Sequence, residues 1–221
     1  MKDKKILKYV DHTKLNAFAT WKDIRKLCNE AIDNNVASIC IPPNYVKRVH
    51  EQYKDRINIC MVVGFPLGYS VTAAKKAEIE QGLLDGANEF DMVINISDVK
   101  NGDYKKVEEE IKILKAVAGE HVLKVIIETC YLTDREKVAM CKAVSNAKAD
   151  YIKTSTGFGT AGATLEDIML FKKHIGANVK IKAAGGVKDM ADLKKFIEAG
   201  CSRIGTSSAI KIINKQKVMG Y

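Results

Sequence analysis

Two lysines occupy positions where the chain ought to bury apolar side chains. Lys153 lies in "DYIKT" (Asp150–Thr154) and Lys182 in "VKIKAA" (Val179–Ala184), both runs that read as strands. Side chains alternate along a strand. In the second run Val179, Ile181 and Ala183 make one apolar face, so Lys180 and Lys182 point the other way; in the first, Ile152 and Lys153 divide likewise. Like-charge proximity and loss of water both lower the pKa of one such lysine. A neutral amine attacks a carbonyl carbon and forms a Schiff base. Asp91 in "EFDMVIN" (Glu89–Asn95) alternates against Phe90, Met92 and Ile94 and faces the lysines. A carboxylate there orients a water or moves protons around C–C bond cleavage. "LKVIIE" (Leu123–Glu128) and "YVDHT" (Tyr9–Thr13) add Lys124, Glu128 and Asp11 to the same side. Mutual ion pairing is the other reading of these charges. Buried pairs seldom add much net stability, which makes pairing alone a poor reason for so many.

Such residues need a frame that turns one face of every strand to a common centre. Besides those five runs, strands are expected at "VASICI" (Val36–Ile41), "NICMVV" (Asn58–Val63) and "SRIGTS" (Ser202–Ser207), eight in all. The starts fall roughly 20 to 35 residues apart, one strand and one helix per interval. Helix starts are marked by Thr20-x-x-Asp23, Thr133-x-x-Glu136 and Thr164-x-x-Asp167, which read as capping boxes or close variants. Gly86 and Gly200 mark helix ends. The expected fold is α/β: a (β/α)8 TIM barrel, with residues 1–221 as a single domain. A doubly wound open sheet is the alternative. "DHTKLN" after the first strand lacks the Gly-rich fingerprint that such a sheet usually carries there.

Barrel chemistry sits at the C-terminal ends of the strands. Three adjacent ends here are rich in glycine and serine: "STGFG" (Ser155–Gly159), "AAGGVKD" with Gly185 and Gly186, and "GTSSA" with Ser207 and Ser208 opening a short helix. Glycine lets backbone N–H groups approach an anion, and a helix start adds donors. A phosphorylated carbonyl compound is the substrate this implies. The residues leave open an aldolase or a sugar-phosphate isomerase; only the first requires a covalent lysine.

Composition narrows the classes. The 221 residues are 47% hydrophobic and 29% charged, ordinary for a globular chain. The formal charge is +9, but the lysines are scattered and form no long basic run, so nucleic-acid binding is not expected. A positive field would instead draw in an anionic substrate. No apolar run approaches the roughly 20 residues that span a bilayer, and the charged start "MKDKKILKYVDHTKL" has no signal-peptide core. A cytoplasmic protein without membrane association is the expectation. The six cysteines include no C-x-x-C and no zinc-like spacing with the four histidines, so free, mostly buried thiols are expected.

On these residues the chain resembles the deoxyribose-phosphate aldolase family of class I aldolases. The matching motifs are "VDHTKL" (Val10–Leu15), "EFDMVINI" (Glu89–Ile96), "LKVIIET" (Leu123–Thr129), "DYIKTSTGF" (Asp150–Phe158), "KAAGGV" (Lys182–Val187) and "SRIGTSS" (Ser202–Ser208), in family order over nearly the whole chain. The resemblance implies reversible cleavage of 2-deoxy-D-ribose 5-phosphate to D-glyceraldehyde 3-phosphate and acetaldehyde, in deoxyribonucleoside breakdown. It implies no metal or organic cofactor and a homo-oligomer, a dimer or tetramer. It assigns Lys153 to the Schiff base, Lys182 to tuning it, and Asp91 to proton relay. It assigns Gly157, Gly185, Gly186, Ser207 and Ser208 to phosphate binding. Asp11, Thr13, Cys40 and Lys124 fall near the pocket, and Tyr221 matches a tail tyrosine proposed to aid proton transfer. The chain departs from the pattern at "CIPPNYV" and at Ala184, where serine is frequent.

Overall fold

The computed structural model describes residues 3–214. Eight strands close into a parallel barrel in sequence order. They are β1 (Val10–Thr13), β2 (Ser38–Ile41), β3 (Ile59–Val63), β4 (Glu89–Val93), β5 (Val122–Ile126), β6 (Tyr151–Lys153), β7 (Lys180–Ala184) and β8 (Arg203–Thr206). β8 pairs back onto β1, with Asp11 opposite Gly205. The helices that return the chain outside the barrel are Trp21–Asn34, Val46–Tyr53, Thr72–Asp85, Tyr104–Ala118, Asp134–Asn146, Leu165–His174 and Met190–Ala199; Ala209–Ile213 follows β8. No helix among the described residues is long and apolar enough to cross a membrane.

Alternation along the strands builds two interiors. Phe90, Met92, Ile94, Val125, Ile127, Ile152, Ile181 and Ala183 all join the large buried cluster between sheet and helices. Full burial of a side chain such as Ile or Phe contributes about 1.5–3 kcal/mol. Inside the barrel the apolar contribution is small, a cluster of Leu15, Cys40, Cys60 and Val62. Beside it stands a group of charges: Asp11, Glu89, Asp91, Lys124, Lys153 and Lys182 are all buried.

Local signals behave as their chemistry requires. Thr20 with Asp23 and Thr133 with Glu136 form complete capping boxes. Thr164 accepts from the Asp167 backbone N–H, but the reciprocal bond is missing, so this is an N-cap and not a box. Gly86 and Gly200 close their helices in the left-handed region, at φ of 95° and 116°. The strands are shorter than the β-rich runs, because chain ends at the barrel mouth turn to cap helices. Asn95, read as an inward strand residue, accepts from the backbone N–H groups of Ser97 and Asp98 instead. Glu128 lies beyond β5 in the left-handed region, at φ 51°. Lys180, expected to face inward beside Lys182, starts β7 and is exposed, its Nζ 5.7 Å from the Tyr151 ring centroid. The cysteines among the described residues are free, and all but Cys130 are buried.

Gly86 gives a clean test of one such signal. A Cβ there would lie 2.3 Å from Cγ of His50, whereas one at Gly102 (φ 81°) would meet nothing within 4 Å. Both substitutions to alanine force a left-handed L-residue, at about 1–2 kcal/mol. Urea denaturation should show Gly86→Ala losing clearly more stability than Gly102→Ala, by about 1–3 kcal/mol of overpacking. Equal losses would show that the His50 ring moves aside freely.

Candidate active site

One carboxylate gathers the charged side chains at the barrel centre. Asp91 Oδ2 accepts from Lys153 Nζ at 2.6 Å and from Lys182 Nζ at 2.7 Å. Its Oδ1 accepts from Lys124 Nζ at 2.9 Å and from the Cys60 thiol at 3.1 Å. Strand register explains the meeting: Lys153 pairs with Lys182 across β6 and β7, and Asp91 with Lys124 across β4 and β5. The network extends through Asp11, which holds Lys182 at 2.5 Å and Arg203 at 2.6 Å. Glu89 completes it, 2.7 Å from Lys124 and 2.8 Å from Arg203.

The picture of two lysines repelling each other is therefore corrected. An Asp91 oxygen stands between them, and the charges are largely paired. Burial acting alone would raise the Asp91 pKa, but Lys124, Lys153 and Lys182 outweigh it and hold the carboxyl well below the usual range. Asp11 is likewise driven low, against burial, by Lys182, Lys124 and Arg203. Burial opposes the charge on Lys182, yet Asp11 and Asp91 keep that lysine above the ordinary lysine range. Lys124 rises for the same reason, with Asp91 the largest of the anionic partners.

Cys40, Cys60 and Asp91 bring three potential metal-ligand atoms within 4.8 Å of one another. The donor set does not suit a cation, because both Asp91 oxygens already serve ammonium groups. Cys40 itself lies 3.9 Å from Asp91 Oδ2 and belongs to the floor of this network.

Above the network opens a cavity of about 590 Å³, and Lys153 forms part of its wall with Thr13, Gly157, Gly185, Gly186, Ser207 and Ser208. Thus Lys153 alone among the interior lysines borders the cavity, with 3% of its surface exposed against none for Lys124 and Lys182. Gly157, Gly185 and Gly186 have φ of 87°, 74° and 75°, conformations that favour glycine. Ser208 is the N-cap of Ala209–Ile213, and its backbone N–H donates to Thr206 Oγ1 at 3.0 Å. On the far side, Phe158 lines both this cavity and a smaller one of about 290 Å³, and it meets Phe65 of the smaller one edge to face at 5.3 Å. Tyr221 lies outside the described residues.

Several residues of the site were missed in the sequence. Arg203 anchors the network from below, held by Glu89, which alternation in "EFDMVIN" already turns inward; an arginine in a short strand was the available signal. Gly162 is another: a Cβ there would fall 2.4 Å from the Gly185 carbonyl carbon, so only glycine lets these two loops touch. A Cβ at Gly205 would press on Lys182 Cε at 3.2 Å. Glu128, read only as an inward charge, accepts from the Thr156 backbone N–H at 3.1 Å and from its hydroxyl.

Comparisons with known proteins agree with this architecture. Residues 5–214 match the family model described as DeoC/LacD family aldolase. A deoxyribose-phosphate aldolase of Clostridium botulinum (strain Alaska E43 / Type E3) is 66% identical over all of both chains. One from Clostridioides difficile (strain 630) is 58% identical over 99% of this chain and 100% of its own. Among solved structures, the tetrameric deoxyribose phosphate aldolase from Aeropyrum pernix superposes with a TM-score of 0.87 at 29% identity, covering 96% of this chain and 91% of that one. With a closed barrel, a cavity above its C-terminal rim and this likeness over its whole length, the chain belongs to the DeoC/LacD family of aldolases, and it is a lyase.

Proposed function

We propose that the chain reversibly cleaves 2-deoxy-D-ribose 5-phosphate to D-glyceraldehyde 3-phosphate and acetaldehyde through a Schiff base on Lys153, in deoxyribonucleoside breakdown. The observation that carries this reading is the position of Lys153: it is the one network lysine on the cavity wall, and it shares Asp91 Oδ2 with Lys182.

Charge balance supplies the neutral amine. Four cations (Lys124, Lys153, Lys182, Arg203) contact three carboxylates (Asp11, Glu89, Asp91). Removing one proton balances the set. Lys153 holds a single carboxylate oxygen, which Lys182 also serves, so its deprotonation leaves no buried carboxylate unpaired. Arginine does not deprotonate in proteins.

Neutral Lys153 attacks the C1 aldehyde of the open-chain sugar phosphate, and the carbinolamine loses water to an iminium. Asp91 moves protons between Lys182 and the reacting nitrogen over bonds of 2.7 and 2.6 Å. As so weak a base, it holds a proton only in passing, and Lys182 is the store. The iminium draws the C2–C3 bonding pair as the C3 hydroxyl gives up its proton, and glyceraldehyde 3-phosphate leaves. Protonation of the enamine and hydrolysis release acetaldehyde. The loops at Gly157, Gly185–Gly186 and Ser207–Ser208 bind the phosphate, turning remote binding into orientation of C1 toward Lys153. The tetrameric relative supports a homo-oligomer.

Borohydride reduction in the presence of 2-deoxyribose 5-phosphate should fix the sugar fragment on the peptide bearing Lys153, as read by peptide mass mapping. Label on another lysine, or none, would refute the assignment. Lys182→Leu should lower turnover by about 100-fold or more, the scale of lost proton-transfer assistance. Near-normal turnover in that variant, folded by circular dichroism, would remove Lys182 from the mechanism.

A further inference from the structure

The cleavage step needs an acceptor for the C3 hydroxyl proton, and Asp91 is badly suited to be it. Three lysines occupy its oxygens, and they hold it far too weak a base. A second buried carboxylate, Glu128, lies near enough to Lys153 to feel its charge. Glu128 is 2% exposed, in a left-handed conformation that a non-glycine residue adopts at a cost. Its carboxylate accepts from the Thr156 backbone N–H at 3.1 and 3.3 Å and from the Thr156 hydroxyl.

Those bonds fix the polarity of Thr156. The hydroxyl hydrogen is committed to Glu128, and one Oγ1 lone pair accepts from the Phe158 backbone N–H at 3.0 Å. A hydroxyl oxygen has two acceptor sites, so one is left. Thr156 lines the same cavity as Lys153, three residues farther along, next to Gly157 of the anion loop. A substrate group that meets it there must be a hydrogen-bond donor. It cannot be a carbonyl or phosphate oxygen.

We propose that Thr156 receives the C3 hydroxyl proton of the bound sugar and passes its own proton to Glu128, an extension that rests on the Schiff-base cleavage argued above. In this step the O3–H bond breaks and an O–H bond forms at Thr156, while the Thr156 hydrogen moves to the Glu128 carboxylate. The O3 electron pair closes the new C=O, and the C2–C3 pair becomes the enamine that neutralises the iminium nitrogen. The proton held by Glu128 later returns through Thr156 to carbon 2 of the enamine, so none is gained or lost overall. Thr156 touches the substrate; Glu128 acts through it. Burial raises the Glu128 pKa, which the Thr156 bonds and the Lys153 charge only partly offset, so it is the better proton acceptor of the two carboxylates. The other titratable group against it is the Cys130 thiol, at 4.0 Å.

The test separates cleavage from imine formation. Glu128→Gln keeps the shape and an acceptor for Thr156 but cannot take the proton. Its kcat for deoxyribose 5-phosphate cleavage should fall about 100-fold. Borohydride trapping of Lys153 by acetaldehyde, which involves no C3 hydroxyl, should stay within about twofold of wild type. The acid limb of the wild-type kcat profile, where activity drops as Glu128 takes up a proton, should vanish in this variant. Thr156→Val should resemble Glu128→Gln, whereas Thr156→Ser keeps the hydroxyl and should retain most turnover. If Glu128→Gln does not fold, the valine and serine variants decide. The proposal is overturned if Glu128→Gln or Thr156→Val keeps normal cleavage, if KM alone rises, or if cleavage and acetaldehyde trapping fall together. A wild-type enzyme that acetaldehyde cannot trap at Lys153 would instead refute the Schiff-base reading itself.

Discussion

The interior depends on a single carboxylate, Asp91, shared by three ammonium groups. Any one of these ions alone in the barrel would be strongly disfavoured. Together they form a set in which every member has an opposite charge within 2.9 Å. A closed barrel is what makes this possible. Asp91 enters from β4, Lys124, Lys153 and Lys182 from the next three strands, and Asp11 from β1, so partners far apart in sequence meet on one axis. Burying such a set adds little net stability, because desolvation consumes most of the attraction. Its consequence is positional: the amine of Lys153 cannot wander, and its charge state is tied to its neighbours.

The architecture was legible because its signals are local and repeated. Eight β-rich runs at even spacing, with threonine caps and glycine stops, leave few folds available. Alternation within each run named Asp91, Lys153 and Lys182 as neighbours before any contact was known. What alternation does not carry is the third dimension. It placed two lysines side by side, but it could not insert Asp91 between them, and so it gave repulsion where the structure has pairing. It also extended too far at the end of β4, which is why Asn95 was turned inward. Arg203 went unread, since a charged residue near a strand start is ordinary unless a partner such as Glu89 stands opposite. The glycine loops at the cavity rim were visible as glycine pairs, while the reason for Gly162 appears only when Gly185 packs against it.

The charged interior is also graded. Arg203 and Glu89 pair near the bottom, where their role is to keep Asp11 and Lys124 in place. Asp91 and Lys182 lie higher and fully dry. Lys153 stands at the top, at the boundary with the cavity. Electrostatic interactions strengthen as water is excluded. The lower network is therefore stiff, and the one group placed to change covalent state is the one that meets solvent and substrate. Substituting a lower member would then disturb Lys153 without touching it.

The same grading bears on which carboxylate does which work. A base must be unprotonated yet willing to accept a proton, and these demands conflict when cations crowd it. Asp91 meets the first condition so completely that it can hold a proton only in passing. Its part in the proposed reaction is to define where positive charge resides, including that of the iminium proposed at Lys153. Glu128 sits in the opposite environment, buried with only Lys153 as a charged neighbour and with Thr156 as its contact to the cavity. Two carboxylates of the same chemical type thus feel the charge of one lysine, and burial with or without cations in contact sets them apart. That separation is how one site can hold a cation beside one carboxylate and pass a proton to another.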